Sequence, residues 1–440
     1  MLSSFESRYT HRVPVTPYRG AGQPQAVFVI ERVLDLVARE TGRERAEVRL
    51  ANLVRPEDMP WDVGLTNYRA SGNVILDSGD FPSVLRRALE SAGYDALRTE
   101  AAAARAQGRL VGVGLACYVE LTGVGPFEAA RVRVDARGRI VVFTGATTQG
   151  QSLETTFAQV AADELGLSPD DVSVIAGDTG GIEHGIGSFA SRAAVVGGSA
   201  VALAARDVRA KALVLAARAL GVAEAELQQT GAVFADRRRL ERRVTFAELA
   251  RAAAAATAAL GVEPGLESTR FFQPADMTYS SGAHVARVEI DPLSARVTVT
   301  GYWISHDSGR LINPMVVEGQ IQGGVALGIG SALLEEIVYD QDGPAARGQL
   351  HGLPAAHSHR CAEHGHRPPG DALAAQPARH QGRGRIGRAP RPRGAGLRHR
   401  RCAGPAGRPS DAHAARAGPP PRAFSSARRR RSVGRLLVLG

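Results

Sequence analysis

Apolar positions along the chain switch repeatedly between helical and strand spacing. From Val27 to Gly42 the pattern is helical and sets Val29, Val33, Leu36 and Val37 on one face, with Gly42 as the stop. Glu47 to Leu53 predicts a second short helix. Asn52 to Ser78, punctuated by Pro56, Pro60, Gly64 and Gly72, reads as a linker. A helix follows near Phe81 or Pro82 with Asp80 or Ser78 as its cap, and an alanine-rich helix spans Thr99 to Gln107. From Arg109 strands dominate: Val111 to Leu121, then Ala129 to Ala146 with a hairpin turn at Asp135 to Gly138. Cys117 falls mid-strand and reads as core. Val201 to Leu260 is alanine-rich and reads as helical, with Thr245 as an N-cap and Arg237 to Arg239 as a solvated turn. Two strands around a proline-containing turn occupy Ser281 to Pro314, and a glycine-studded helix runs from Val316 towards Tyr339.

The densest punctuation lies between Thr144 and Val201. TGATTQGQSLETTFAQVAADELG and HGIGSFASRAAVVGGSAVALAA each bring a glycine-rich turn into an alanine-rich helix, with the strand-like SVIAGDTGG between them. Glycine at positions 145, 150, 180, 181, 185, 187, 197 and 198 lets backbone N–H groups approach an anion closely. Gln149, Gln151 and Ser191 add neutral hydrogen-bonding groups. The stretch holds no lysine and no Walker pattern, and glycine-rich turns before helices are common, so composition alone does not make a phosphate site. A second tight turn, TPYRGAGQPQ from Thr16 to Gln25, presents Arg19 between Pro17 and Pro24. Gly112 to Gly114 lacks the third glycine and the helix of a dinucleotide fingerprint. His306 and Asp307, next to Ser305 and Ser308, invite a nucleophilic-triad reading, which the surrounding turn sequence disfavours.

At 440 residues the chain has room for two or three domains, and 44% hydrophobic residues fit a globular core. No run of eighteen apolar residues is present, so no membrane span is expected, and the N-terminal stretch has no apolar core of a signal peptide. Three cysteines without a CxxC pair favour a reducing, cytoplasmic setting. The net charge of +10 is unevenly distributed. Residues 351–440 hold 19 arginines and 3 acidic residues, a balance of +16, against 35 basic and 41 acidic residues elsewhere, a balance of −6.

The 144–201 stretch, with TPYRGAGQPQ before it and HDSGRLINP after it, resembles the molybdopterin-binding large subunit of the xanthine dehydrogenase, aldehyde oxidase and aerobic carbon monoxide dehydrogenase family. The motifs agree in order, and the resemblance runs from Arg12 to about Ala346. It implies an α+β fold: residues 1–76 as the C-terminal part of a first molybdopterin-binding domain, 77–347 as an incomplete second one, and 348–440 as a disordered tail. It implies further that Gln149, Gly150 and Gln151 contact the dithiolene end of the pterin or an oxo ligand of the metal, and that Gly187, Ala190 and Ser191 hold the pterin's phosphates or nucleotide, in the cytosine dinucleotide form. Arg19, Gly20, Ala21 and Gly22 would line the substrate pocket. The pterin sulfurs hold the molybdenum in this family, so no protein metal ligand is expected. The activity implied is hydroxylation of an aldehyde or N-heterocycle with water as oxygen donor, with electrons leaving through iron–sulfur and FAD subunits. Two positions depart from the pattern. Carbon monoxide dehydrogenases carry a copper-binding cysteine after the arginine, where this chain has Gly20, and a soft copper ion needs a thiolate. Leu327 stands where family members often have a glutamine beside the metal.

After Asp342 the amphipathic period stops, and eight of the twelve histidines fall after Leu350. Arginine-rich tracts bind nucleic acid, but Phe424 is the tail's one aromatic residue, too few for base stacking. Arg, Pro, Ala, Gly and His are also what a GC-rich gene yields when read out of frame. A one-base shift allows the tail to be rewritten as family-like sequence ending in PLGIKGVGE. The glutamate of that motif is the family's general base, and its codon would fall across Arg385 and Ile386. In this frame it is absent, so no catalytic residue is assigned and the chain itself is expected to be inactive or nearly so. The competing expectations are a non-catalytic remnant and a nucleic-acid-binding protein acting through its basic tail.

Overall fold

The structure, a computed structural model, describes residues 16–66, 72–254, 263–336 and 339; the expected tail and the residues before Thr16 lie outside them. Mixed helices and sheets make an α+β fold. Helices α1 (Gln23–Thr41) and α2 (Arg45–Asn52) lead to a hairpin of β1 (Trp61–Thr66) and β2 (Asn73–Leu76), then to α3 (Phe81–Ala92) and α4 (Tyr94–Ala106). The hairpin corrects the reading of Asn52 to Ser78 as a linker. Its prolines and glycines mark the turns, while Trp61 and Val63 pack on buried Val54 and Leu76. Asp80 caps α3 by accepting from the Ser83 N–H at 3.0 Å.

The centre of the fold is a four-stranded sheet in the order β10–β4–β5–β6, where β4 is Glu128–Val134, β5 Ile140–Thr144, β6 Val172–Ala176 and β10 Glu267–Phe272. The expected turn closes β4 and β5, with Gly138 N–H donating to the Asp135 carbonyl at 2.8 Å. β5 and β6 are parallel, joined by α5 (Leu153–Leu165). α5 and α6 (Gly198–Leu220) cover one face. Alanines 161, 162, 200, 204, 205, 212 and 216 are fully buried, small enough to let these helices lie close to the sheet and each other. Phe157 and Leu165 fill the rest, each contributing about 1.5–3 kcal/mol by burial.

Between Leu220 and Leu260 the structure departs from the expected helix. A three-stranded antiparallel sheet, β7 (Leu227–Thr230), β8 (Val233–Asp236) and β9 (Arg239–Thr245), precedes α7 (Phe246–Ala254). Its strands are short and β9 is mostly charged, so they carry no apolar alternation. Thr245 and Glu248 form a reciprocal capping box at the start of α7.

The second sheet has the order β12–β11–β3, all antiparallel, with β3 Leu110–Thr122, β11 Thr278–Ile290 and β12 Val297–Asp307. Alternation along β3 turns Val111, Val113, Leu115 and Cys117 towards α3 and α4. Cys117 is core, as expected, and burial pushes its thiol up to about 12. Gly114, Ala116, Tyr118 and Glu120 alternate onto the opposite face, where α8 (Pro314–Leu333) packs Val325 and Ile329 on Val299, Tyr302 and Ile304.

α1 does not bury the face its strongest apolar stripe predicts. Val29, Leu36 and Val37 are exposed, whereas Glu31, Leu34 and Ala38 are buried. The reason is electrostatic. Arg49 of α2 is 1% exposed and donates to Glu31 Oε2 at 2.7 Å, to Asp35 Oδ1 at 2.9 Å and to the Leu115 carbonyl at 3.2 Å. One guanidinium therefore pins α1, α2 and β3. Burial raises the Glu31 carboxyl above its usual range, against the opposing pull of Arg49. Removing one partner of such a pair strands a buried charge. Arg49→Ala is expected to lower stability in urea denaturation by about 3–5 kcal/mol, with Arg49→Lys between it and the native chain because lysine has no planar fork to span three acceptors.

Candidate cofactor site

β5 ends at Thr144 and β6 at Ala176, so the two glycine-rich loops rise from the same edge, at the carboxyl ends of a parallel pair. Ligands of α/β sheets bind at that edge. The loops cross where Gly145 meets Gly185: a Cβ on either would lie 2.4 Å from the other's Cα. Further on they are laced together. Thr147 N–H donates to Ser188 Oγ at 3.1 Å, and Gln149 Nε2 donates to the Ser188 carbonyl at 2.9 Å. Gln151 folds back, its Nε2 donating to the Thr147 carbonyl at 3.1 Å and its Oε1 accepting from the Gln149 N–H.

Beneath the crossing lies Glu128, the first residue of β4, 1% exposed. Its Oε2 accepts from the N–H groups of Ile186 at 3.3 Å and Gly187 at 3.1 Å, and from Arg192 Nη1 at 2.7 Å. Its Oε1 lies 2.7 Å from where a Cβ on Gly145 would be, so it fills the space that glycine leaves. Arg192, equally buried, donates to the carbonyls of Val124 at 2.8 Å, Gly187 and Phe127. The ion pair thus spends most of its donors and acceptors shaping one loop and propping the other.

The backbone between these anchors is strained. Gly150 and Gly187 have positive φ, as do Ser152, Ala190 and Ser191, which have side chains. Of the five non-glycine residues with positive φ among the described residues, these are three, Ala21 is the fourth and Ala295 in the β11–β12 hairpin the fifth. Such conformations cost about 1–3 kcal/mol each and gather at ligand sites. Five residues in π-helical form, Ala193–Gly197, precede α6, and Gly197 leaves room for the Phe157 ring, which a Cβ would approach to 2.8 Å.

The Arg19 turn docks on α8, the helix that covers one face of the second sheet. Gly20, Ala21 and Gly22 all have positive φ, closed by Ala21 N–H on the Tyr18 carbonyl at 2.6 Å. Arg19 Nη2 donates to the Gln320 carbonyl at 3.1 Å and Oε1 at 3.4 Å, and its guanidinium lies against Gly323 and Gly324 of α8. The two regions meet where the Gly123 N–H, just past β3, donates to the Ser191 carbonyl at 3.2 Å. Asn313 caps α8 through the Val316 N–H and donates to Gln159 of α5 at 3.0 Å, a second tie between them.

Comparison with known proteins shows the family. One molybdopterin cofactor-binding domain family matches residues 87–355 and another matches residues 3–53. The chain belongs to the molybdopterin-binding large-subunit family of xanthine dehydrogenase and carbon monoxide dehydrogenase. It is 36% identical over 336 residues to the 6-hydroxypseudooxynicotine dehydrogenase complex subunit gamma of Paenarthrobacter nicotinovorans, covering 76% of this chain and 42% of that one. It is 34% identical over 356 residues to the carbon monoxide dehydrogenase large chain of Hydrogenophaga pseudoflava, covering 77% and 43%. Quinoline 2-oxidoreductase from Pseudomonas putida 86 superposes with a TM-score of 0.70 at 33% identity, covering 78% and 45%. The chain therefore spans under half the length of the relatives it matches.

Within this molybdopterin-binding fold, the structure laces the Gln149–Gln151 turn to Ser188, which lies between Gly187 and the Ala190–Ser191 pair, and sets the Arg19 turn on α8. It does not assemble a nucleophilic triad. Ser305 alternates to the opposite face from His306, Asp307 Oδ1 accepts from the Gly309 N–H at 2.9 Å, and His306 Nδ1 meets the Tyr118 hydroxyl at 3.0 Å. Glu128 and Arg192 were missed by motif reading. The signal available was a charged residue opening an apolar strand in PFEAARV, and an arginine at the end of GSFASR. Because each partner strands the other when removed, Glu128→Ala and Arg192→Ala should each cost about 3–5 kcal/mol. The double change Glu128→Ala with Arg192→Ala should cost less than the two singles added together, which urea denaturation of the four proteins measures as a coupling energy.

Proposed function

We propose that the two laced loops hold a pyranopterin molybdenum cofactor and that residues 16–333 form the cofactor-binding part of a molybdenum hydroxylase large subunit. The observation that carries this reading is the meeting of the Gln149–Gln151 turn with the Gly187–Ser191 turn over one buried ion pair. The donor set suits such a ligand: neutral amides, a hydroxyl and glycine-lined backbone, with no lysine in either loop. Among the described residues no cluster of three or more His, Cys, Asp or Glu side chains is placed to hold a metal. Gln149, Gly150 and Gln151 face the dithiolene end, and Gly187, Ala190 and Ser191 take the phosphates of a cytosine dinucleotide form.

When bound, the cofactor supplies the redox centre that takes two electrons from the substrate carbon while water supplies the oxygen. The chain's own residues orient and bind. Arg19, fixed by Gln320, presents a guanidinium to a polar atom of the substrate, and Gly20, Ala21 and Gly22 put nothing larger than a methyl group on that side of the pocket. An aldehyde or N-heterocycle fits this reading better than carbon monoxide. Position 20 has φ +93°, and a Cβ there would lie 2.7 Å from the Pro24 ring, so the turn has no room for a copper-holding thiolate. The names of two relatives, a quinoline oxidoreductase and a 6-hydroxypseudooxynicotine dehydrogenase, favour an N-heterocycle. Electrons pass on to iron–sulfur and FAD subunits, and the assembly is placed in the cytoplasm. No helix among the described residues is long and apolar enough to cross a membrane. We read residues 348–440 as out of frame, so the general-base glutamate is missing and turnover by this chain alone is low; a positioned base is worth about 10²–10⁴-fold.

Purification of the full chain from a host that makes the cytosine dinucleotide cofactor tests the binding. Molybdenum and acid-released cytidine monophosphate are expected in equal amounts, and both should fall at least tenfold in Gly187→Val. A folded native chain carrying neither would contradict the proposal. Release of a different nucleotide would correct the cofactor's form alone.

A further inference from the structure

One face of the second sheet carries a polar array that the binding of a cofactor leaves unexplained. Tyr118 on β3, Gly282 on β11 and His306 on β12 stand in register across the three strands. Gly282 is what allows the two outer side chains to meet. A Cβ there would lie 2.5–2.6 Å from the Tyr118 ring and hydroxyl, so only glycine leaves a trough for the phenol to cross β11. Through that trough the Tyr118 hydroxyl reaches His306 Nδ1 at 3.0 Å. His284, next on the same face, packs edge-on to Tyr118 with ring centroids 5.6 Å apart and pairs its Nδ1 with the Tyr302 hydroxyl at 2.9 Å. Its Nε2 is buried without a partner among the described residues, and burial drops its pKa to about 4, so it stays neutral.

Glu120 lies two residues beyond Tyr118 on the same face and three residues before Gly123, whose N–H meets Ser191. No described residue donates it a hydrogen bond, and burial pushes its carboxyl up to about 7. Directly across from it on β11 is uncharged Ser280, and the titratable neighbour on its own strand is Tyr118, with His306 in the Tyr118 row and His284 and Tyr302 further along the face. Tyr118 feels both Glu120 and Arg19. At the far end, His306 is held neutral by burial beside exposed Asp307, the last residue of β12.

We propose that Glu120, Tyr118 and His306 form a proton-transfer path leading from the Arg19 side of the site, across Gly282, to the surface at Asp307. Protonated Glu120 gives its proton, through one bridging water, to the Tyr118 oxygen as the phenolic proton passes to neutral His306 Nδ1. His306 then releases its Nε2 proton towards Asp307 and solvent. One proton moves and no electrons do. The hydroxylation proposed above releases two protons per turnover, so the path rests on that reading for its purpose. Its geometry rests on the sheet alone and holds whichever chain supplies the catalytic base.

Nuclear magnetic resonance of the full chain, labelled with ¹⁵N at histidine rings and ¹³C at glutamate carboxyls, tests it. The Glu120 carboxyl is expected to titrate near 7, and His306 should show an inflection at the same pH. E120Q should abolish that inflection. Y118F and G282A should also abolish it while Glu120 continues to titrate near 7; Y118F decides the matter should G282A fail to fold. An unchanged His306 curve in E120Q, or a Glu120 titration in the ordinary carboxylate range, would overturn the path. Molybdenum content of the same samples separates the two proposals. Coupled titration in a chain that never takes up metal would sink the cofactor reading alone, and metal without coupling would sink the path alone.

Discussion

A buried carboxylate and guanidinium, Glu128 and Arg192, hold the candidate site in shape. Burying both costs each several kcal/mol of lost hydration, which the pair's mutual attraction only partly offsets. The remainder is recovered because neither group is left idle. The carboxylate accepts from two consecutive loop amides, and the guanidinium donates to three carbonyls on either side of the pair. Those backbone groups lie in loops that form neither helix nor sheet and so have no ladder partners of their own. The left-handed conformations of Ala190 and Ser191 persist because this network over-determines the chain on both sides of them.

The rest of the architecture brings remote stretches to that pillar. The Arg19 turn is some three hundred residues from Gln320 in sequence, yet the two are bonded directly. α8 carries the turn over the polar face of the second sheet, and α8 is itself tied to α5 through Asn313 and Gln159. The backbone bond from Gly123 to Ser191 closes the circuit between the two sheets. Small residues do much of this work. Gly145 and Gly185 let the loops cross, Gly282 lets a phenol cross a strand, and Gly323 and Gly324 lie against an arginine on a helix surface.

Much of this was legible in the sequence where local chemistry decides the outcome. The α3 cap at Asp80, the turn at Asp135–Gly138, the buried Cys117 and the glycine-rich turns feeding α5 and α6 all follow from residue type and spacing. The resemblance of three motifs to a family then gave the expectation that the turns share one site. What escaped was tertiary in origin. α1 buries the side bearing Glu31 because Arg49 draws it there, a preference no hydrophobic count contains. The strands β7 and β9 are polar and short, so nothing in their pattern contradicts a continuing helix. Glu128 and Arg192 lie 64 positions apart, and their partnership is invisible until β4 and the 185–192 loop are folded together.

The central claim is that one ion pair sets both glycine-rich loops at once. Amide hydrogen exchange of the full chain, native against Glu128→Gln, measures it directly. The account predicts that amides of residues 145–152 and 185–191 speed up together in Glu128→Gln, while those of β3 and β11 keep their native rates. Acceleration confined to Ile186 and Gly187, with the 145–152 turn unchanged, would contradict it and leave the two loops as independent structures.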